Sequence, residues 1–237
     1  MYAWDQLFAM SATFLALVSG VITNGVCNSS QLPAVIVTQQ VNQLPSFNSV
    51  ELRNGGRVTL RQGASQRVTI LNGQQDCVRI AVERGNRLVI DHQGKCAGEG
   101  QLEVEVIVTN LDAVAVSNGG WLQSLNGFTN QRELAVAVNQ GGIIDIRSMP
   151  VQNVTAAVIH GGRIFTRPQR NLVAAISDGG GITYWGEPAV TSNISNGGAV
   201  MKGDPAEFDK PLRDSNYVLP PVRPALPPRP PVSSVSQ

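Results

Sequence analysis

The chain is short of the residues that do chemistry. Its 237 residues include two histidines, His92 and His160, and three cysteines, Cys27, Cys77 and Cys96. There is no His-x-x-x-His, no close cysteine pair and no Asp-rich calcium loop, so no metal ligand set emerges and no cofactor is expected. Charge is scarce as well: charged residues make up 15% and the net charge is +1. That leaves no electrostatic footprint for nucleic acid. General acid and base roles need positioned groups, and none can be assembled here, so the chain reads as a non-enzyme.

Glycine and β-branched residues are what the chain has in quantity. Gly 24 and Pro 14 are high for a helical protein, and "VEVIVTN", "AVAVSN" and "VTILNG" suit a pleated, half-buried surface. Five glycine pairs recur, beginning at Gly119, Gly141, Gly161, Gly179 and Gly197, with spacings of 22, 20, 18 and 18 residues. This is the period of one coil of a solenoid. Three residues before each pair stand Val116, Val138, Val158, Ile176 and Ile194; two residues after it stand Leu122, Ile144, Ile164, Ile182 and Val200. Stacked at about 4.8 Å, these two columns form interior apolar ladders.

Ala115, Ala137, Ala157 and Ala175 form a column on the opposite face or at a bend. Asn118, Gln140, His160, Asp178 and Asn196 form a polar column that hydrogen-bonds locally at the corner, where the glycines pass through positive φ. His160 is therefore a structural residue, and the glycine pairs are corners, lacking the Gly-Lys-Ser/Thr ending of a phosphate loop. Pro150, Pro168 and Pro188 close coils before the next strand. Residues 45–110 carry the same grammar more loosely and read as opening coils. The expected fold is all-β: a right-handed parallel β-helix of about eight coils, with an N-terminal apolar helix and a disordered proline-rich C-terminal tail.

The expected division is 1–26 as signal peptide or membrane anchor, 27–44 as linker and cap, 45–203 as β-helix and 204–237 as tail. "LFAMSATFLALVSGVI" (7–22) is a signal-like core, although Asp5 stands where a basic flank is usual. Export makes an odd cysteine count read as one pair and one leftover: Cys77 with Cys96 as a disulfide, and Cys27 as a candidate lipidation site with a poor processing motif. Nine of the 14 prolines lie from Pro205 onward. "PALPPR", with Pro224, Pro227 and Arg229, has the spacing of a docking peptide for aromatic-lined grooves; a solvated spacer is the plainer alternative.

"LPSFNSVELRNGGRVTLRQGASQRVTI", "GNRLVIDHQG" and "LEVEVIVTNLDAVAVSNGG", together with the later coils, resemble the bacterial family described as "putative autotransporter adhesin, head GIN domain". The likeness spans 41–203 and includes the Phe-x-x-Val-x-Leu opening at Phe47–Leu52. It implies a right-handed β-helix and an exported, envelope-associated protein in the periplasm, outer membrane or cell surface, and brings no catalytic residues with it.

Arg147 and Arg167 stand five residues past the glycine pairs of adjacent coils, with Arg163 close by; Tyr184 and Trp185 follow one coil on. This stripe is the candidate ligand or partner surface, suited to an anionic sugar or to carboxylates. The expected partner is an envelope protein or glycan, with membrane association through the N-terminus. The reading is an adhesion or protein-binding module. The alternatives are a structural subunit of a multiprotein envelope or secretion assembly and, more remotely, a polysaccharide-active enzyme.

Overall fold

A computed structural model describes residues 39–41, 44–93, 102–210 and 212. In chain order the first strands are β1 (Gln39–Val41), β2 (Ser49–Arg53), β3 (Arg57–Gln62), β4 (Arg67–Asn72), β5 (Val78–Glu83), β6 (Arg87–His92), β7 (Glu103–Val108) and β8 (Ala113–Ser117). They are followed by β9 (Trp121–Ser124), β10 (Gln131–Asn139), β11 (Ile143–Asp145), β12 (Val151–Ile159), β13 (Arg163–Thr166), β14 (Pro168–Ser177), β15 (Gly181–Tyr184), β16 (Ala189–Ser195) and β17 (Ala199–Lys202). The fold is all-β. One sheet runs β1-β4-β7-β3-β9-β11-β13-β15-β17 and the other β16-β14-β12-β10-β8-β2-β6-β5, neither closed into a barrel.

From β8 onward the chain alternates between the two sheets, and every strand pairs in parallel with the strand one repeat away. The aliphatic columns meet in register. Val138 lies opposite Val116 and Val158, and Ile176 opposite Val158 and Ile194. Ile144 lies opposite Leu122 and Ile164, and Ile182 opposite Ile164 and Val200. All but the last member of each column are buried, so each branched side chain packs on its own kind one layer away. The alanines also stack in register, on the outward side of the second sheet. Pro168 opens β14, and Pro150 and Pro188 immediately precede β12 and β16, where a missing N–H disturbs the ladder least.

Each corner is a run of three positive-φ residues. At Gln140, Gly141 and Gly142 the values are 56°, 82° and 102°, and at His160, Gly161 and Gly162 they are 55°, 84° and 100°. The polar column is therefore itself left-handed, a conformation that Asn and Asp tolerate better than most residues. Asn118 donates to Asn54 Oδ1 at 2.9 Å, and Asn196 to Asp178 Oδ1 at 2.9 Å. The corner amides close the gap between layers: Gln140 N–H bonds Ile159 O at 2.9 Å and Arg163 N–H bonds Gly142 O at 3.0 Å.

The N-terminal part departs from the expected sequential stacking. β2 lies between β6 and β8, and β3 between β7 and β9, so the layer made first is threaded between two made later. Between them the chain makes an antiparallel excursion: β4 pairs with β7 and β1, and β5 pairs with β6. Gly85 (φ 78°) and Asn86 (φ 56°) explain the reversal, because two consecutive positive-φ residues make the tight turn of a hairpin. Eight two-strand layers stack among the described residues, seven of them bonded in parallel to one another and the eighth, β4 with β5, added antiparallel, where about eight coils were expected. Charged side chains knit the hairpin to β2: Arg87 reaches Glu51 at 3.3 Å and Arg53 reaches Glu83 at 3.7 Å, while Arg53 also binds Glu51 of its own strand at 2.7 Å. The Glu51 hydrogen bond raises the Arg53 pKa above its ordinary value.

Candidate functional site

The arginine and aromatic stripe is occupied by the chain itself. After β17 the chain passes through Gly203 and makes a short 3-10 turn at Pro205–Glu207, started by Asp204, whose carboxylate accepts the Ala206 N–H at 2.8 Å. This segment lies over the residues that follow β11, β13 and β15. Arg147, only 7% exposed, donates from Nη1 to the carbonyls of Glu207 at 3.1 Å and Phe208 at 2.9 Å, and from Nη2 to that of Lys210 at 3.3 Å. Asp145 aims the guanidinium by accepting from Nε at 2.9 Å and Nη2 at 2.8 Å. The Arg147 guanidinium carbon lies 5.8 Å from the Phe165 ring centre and 5.1 Å from that of Trp185.

Trp185 is 6% exposed, its indole N–H donating to the Asp204 carbonyl at 2.9 Å. Phe208 meets Trp185 edge-on with ring centres 6.0 Å apart, and the Arg167 guanidinium carbon sits 4.9 Å from its ring centre. The repeat explains the fit. Gly203 falls five residues past its glycine pair, in the column of Arg147, Arg167 and Trp185, and a Cβ there would come within 2.3 Å of the Trp185 ring. Of the remaining stripe residues, Tyr184 is half-buried against the core and Arg163 is exposed on the outward side of β13. The stripe thus holds a strap of residues 204–210, while Arg163 stays exposed. Sequence spacing located the column but had no signal for Phe208 or for the carbonyls that Arg147 binds.

Cys77 is buried and disulfide-bonded. Cys27, Cys96, the apolar run 7–22 and the tail residues Pro224, Pro227 and Arg229 lie outside the described residues. Within the described residues no group of three or more His, Cys, Asp or Glu is placed to hold a metal ion, and no helix is long and apolar enough to cross a membrane. His160 projects from its corner toward Asp178, Nε2 to Oδ2 3.4 Å, as a member of the polar column. A separate depression is lined by Asn48, Asn110, Asp112, Gln131, Arg132 and Glu133. Its amides, carboxylates and guanidinium offer both donors and acceptors, the chemistry that suits a hydroxyl-rich ligand.

Among solved structures, a putative adhesin from Bacteroides fragilis NCTC 9343 is 16% identical, with 70% of this chain and 95% of that chain covered and a TM-score of 0.38. A putative cell adhesion protein from Clostridium sporogenes ATCC 15579 is 12% identical, with 70% and 99% covered and a TM-score of 0.37. A putative lipid binding protein from Parabacteroides distasonis ATCC 8503 is 13% identical, with 70% and 96% covered and a TM-score of 0.32. No curated protein matches. The family model described as "Putative auto-transporter adhesin, head GIN domain" matches residues 46–132 and 95–188, which together span more than half of the sequence, and the chain belongs to that family.

Proposed function

We propose that the protein is an exported component of the cell envelope whose stacked sheets form a right-handed parallel β-helix serving as a non-enzymatic adhesion or protein-binding module. Family membership across residues 46–188 carries this reading. The fold adds a physical reason. In-register columns and hydrogen-bonded corners make a stiff scaffold, and stiff scaffolds hold binding side chains without an ordering cost at each encounter. In this reading Cys77 pairs with Cys96, the first 26 residues direct export or anchor the chain, and Cys27 is the candidate acyl site. The proline-rich tail is a spacer that carries Pro224, Pro227 and Arg229 away from the strap toward a groove on another protein.

Two candidate binding surfaces follow in this proposal, one on each sheet: the exposed outward side of β13 that carries Arg163, and the polar depression around Arg132 and Glu133 of β10. The full chain, immobilised and presented with purified envelope glycans and solubilised envelope proteins, should retain one class saturably. Arg163→Ala or Arg132→Ala should weaken that retention by about five- to thirtyfold, the cost expected of an arginine that anchors an interface. Release of cleaved product from any glycan would replace the binding module with an enzyme.

A further inference from the structure

The two ends of the stack are built differently. At one end β5 and β1 are antiparallel additions, and β5 carries Arg79 and Glu83, the charged blunting expected of a protected edge. At the other end β16 and β17 are the last strands of their sheets, and all seven residues of β16 are exposed. Val190 and Ile194 stay 38% and 42% exposed, although their register partners Leu172 and Ile176 are 0% and 2% exposed. They are core residues awaiting one more layer. The last layer, 189–202, contains a single charge, Lys202, which is paired with Glu187, and no proline.

The chain's own ends start far from this face. β1 enters at the opposite end of its sheet. The strap runs backward, so that the Lys210 carbonyl is bound by Arg147 after β11, three layers and about 14 Å from β17. Beyond it, seven of the twelve residues from Pro220 to Pro231 are proline, which lacks the N–H a ladder needs. An edge whose one charge, Lys202, is already paired with Glu187 repels no copy of itself, whereas the charged β5 edge disfavours a head-to-tail contact.

The geometry points to a second copy of this chain as the occupant: two molecules join end to end through a two-fold axis, with β16 and β17 antiparallel to their counterparts and the Val190 and Ile194 side chains sealed between them. The contact closes on itself and yields a dimer, not a filament. Seven residues of strand spanning about 23 Å, across two sheets ~10 Å apart and the side chains on their outer faces, give an end face of roughly 400 Å² per copy, about 800 Å² in all; this is below the size of stable interfaces, so weak, reversible association in the range of tens of micromolar or above is expected.

Sedimentation velocity of the full chain in density-matched detergent, from roughly 1 to 300 µM, tests this. A monomer–dimer equilibrium is expected, weakened at least tenfold by Ile194→Lys and by Val190→Lys and left unchanged by Val173→Lys, an exposed apolar position one layer in from the edge, on the outward side of β14. Circular dichroism confirms that the variants keep their strands. A monomer at every concentration, open-ended assembly, or a dimer indifferent to both edge lysines would overturn the proposal. So would a chain that dimerises only after deletion of 213–237, which would make the tail the occupant.

Discussion

At the scale of single residues, the two glycines of each corner are required for different reasons. A Cβ on Gly162 would sit 2.4 Å from Val138 Cγ1 and 3.0 Å from the Gly142 carbonyl oxygen, whereas one on Gly161 meets nothing within 4 Å. Both residues have positive φ, at 84° and 100°. Gly161→Ala therefore carries only the left-handed penalty, about 1–2 kcal/mol. Gly162→Ala adds a clash with the layer beneath, for a total of roughly 3–5 kcal/mol. Urea unfolding of the two variants should show this inequality, and equal losses would mean that only backbone conformation matters. The polar column makes a second statement. The Asn196 amide, then the Ser177 hydroxyl, hold the Asp178 carboxyl below its ordinary value of 3.8, with His160 adding a smaller pull. A lowered carboxyl pKa means the folded state prefers the carboxylate. Its contribution is complete above the unfolded value and fades as pH falls through the folded one. A carbon-detected NMR titration should give a midpoint below 3.8, and Asn196→Ala should move it upward; an unmoved midpoint would remove the amide as the cause.

At the scale of elements, the strap joins three successive layers. Arg147 is fixed by Asp145 on one side and binds three carbonyls of the strap on the other, flanked by Phe165 and Trp185. Charge-assisted bonds in so sheltered a place are worth more than exposed ones, so Arg147→Ala should favour strap opening by about 2–4 kcal/mol. Chymotryptic cleavage at Phe208 should accelerate by at least thirtyfold, and an unchanged rate would show that Trp185 and Gly203 hold the strap without it. Val116, Val138 and Val158 were legible as neighbours because an 18- to 22-residue period places identical side chains in one column. Arg147, Arg167 and Trp185 were legible as a column for the same reason. What covers them was not, because Phe208 lies outside the repeat and Arg147 binds backbone carbonyls, which every residue possesses. Nor was the place of β2 legible. Leu52 fits beside Ile90 or Val116 equally well, and local pattern cannot choose between partners of the same shape.

At the scale of the whole folded unit, layer order should govern where the structure opens. Strands in the middle of a stack are hydrogen-bonded on both edges and packed above and below, while a terminal strand has one such neighbour; opening free energy rises accordingly from the ends inward. In the monomer, at concentrations well below those at which copies join, β16 has one paired edge and exposed side chains, so its amides should exchange first, followed by those of β14. The critical strand is β2. Were the layers stacked in the order of synthesis, β2 would belong to an end layer and would exchange nearly as fast as β16. In the observed order it is enclosed by β6 and β8, with Val50 and Leu52 buried at 1% and 0% exposure. Its amides should therefore exchange at least about a hundredfold more slowly than those of β16, close to those of β8. Hydrogen–deuterium exchange resolved to single strands measures both at once. Fast exchange in β2 would mean that the threaded layer does not exist in solution. Slow exchange in β2 beside fast exchange in β16 requires the chain to have come back past its own first layer, which sequential winding cannot produce.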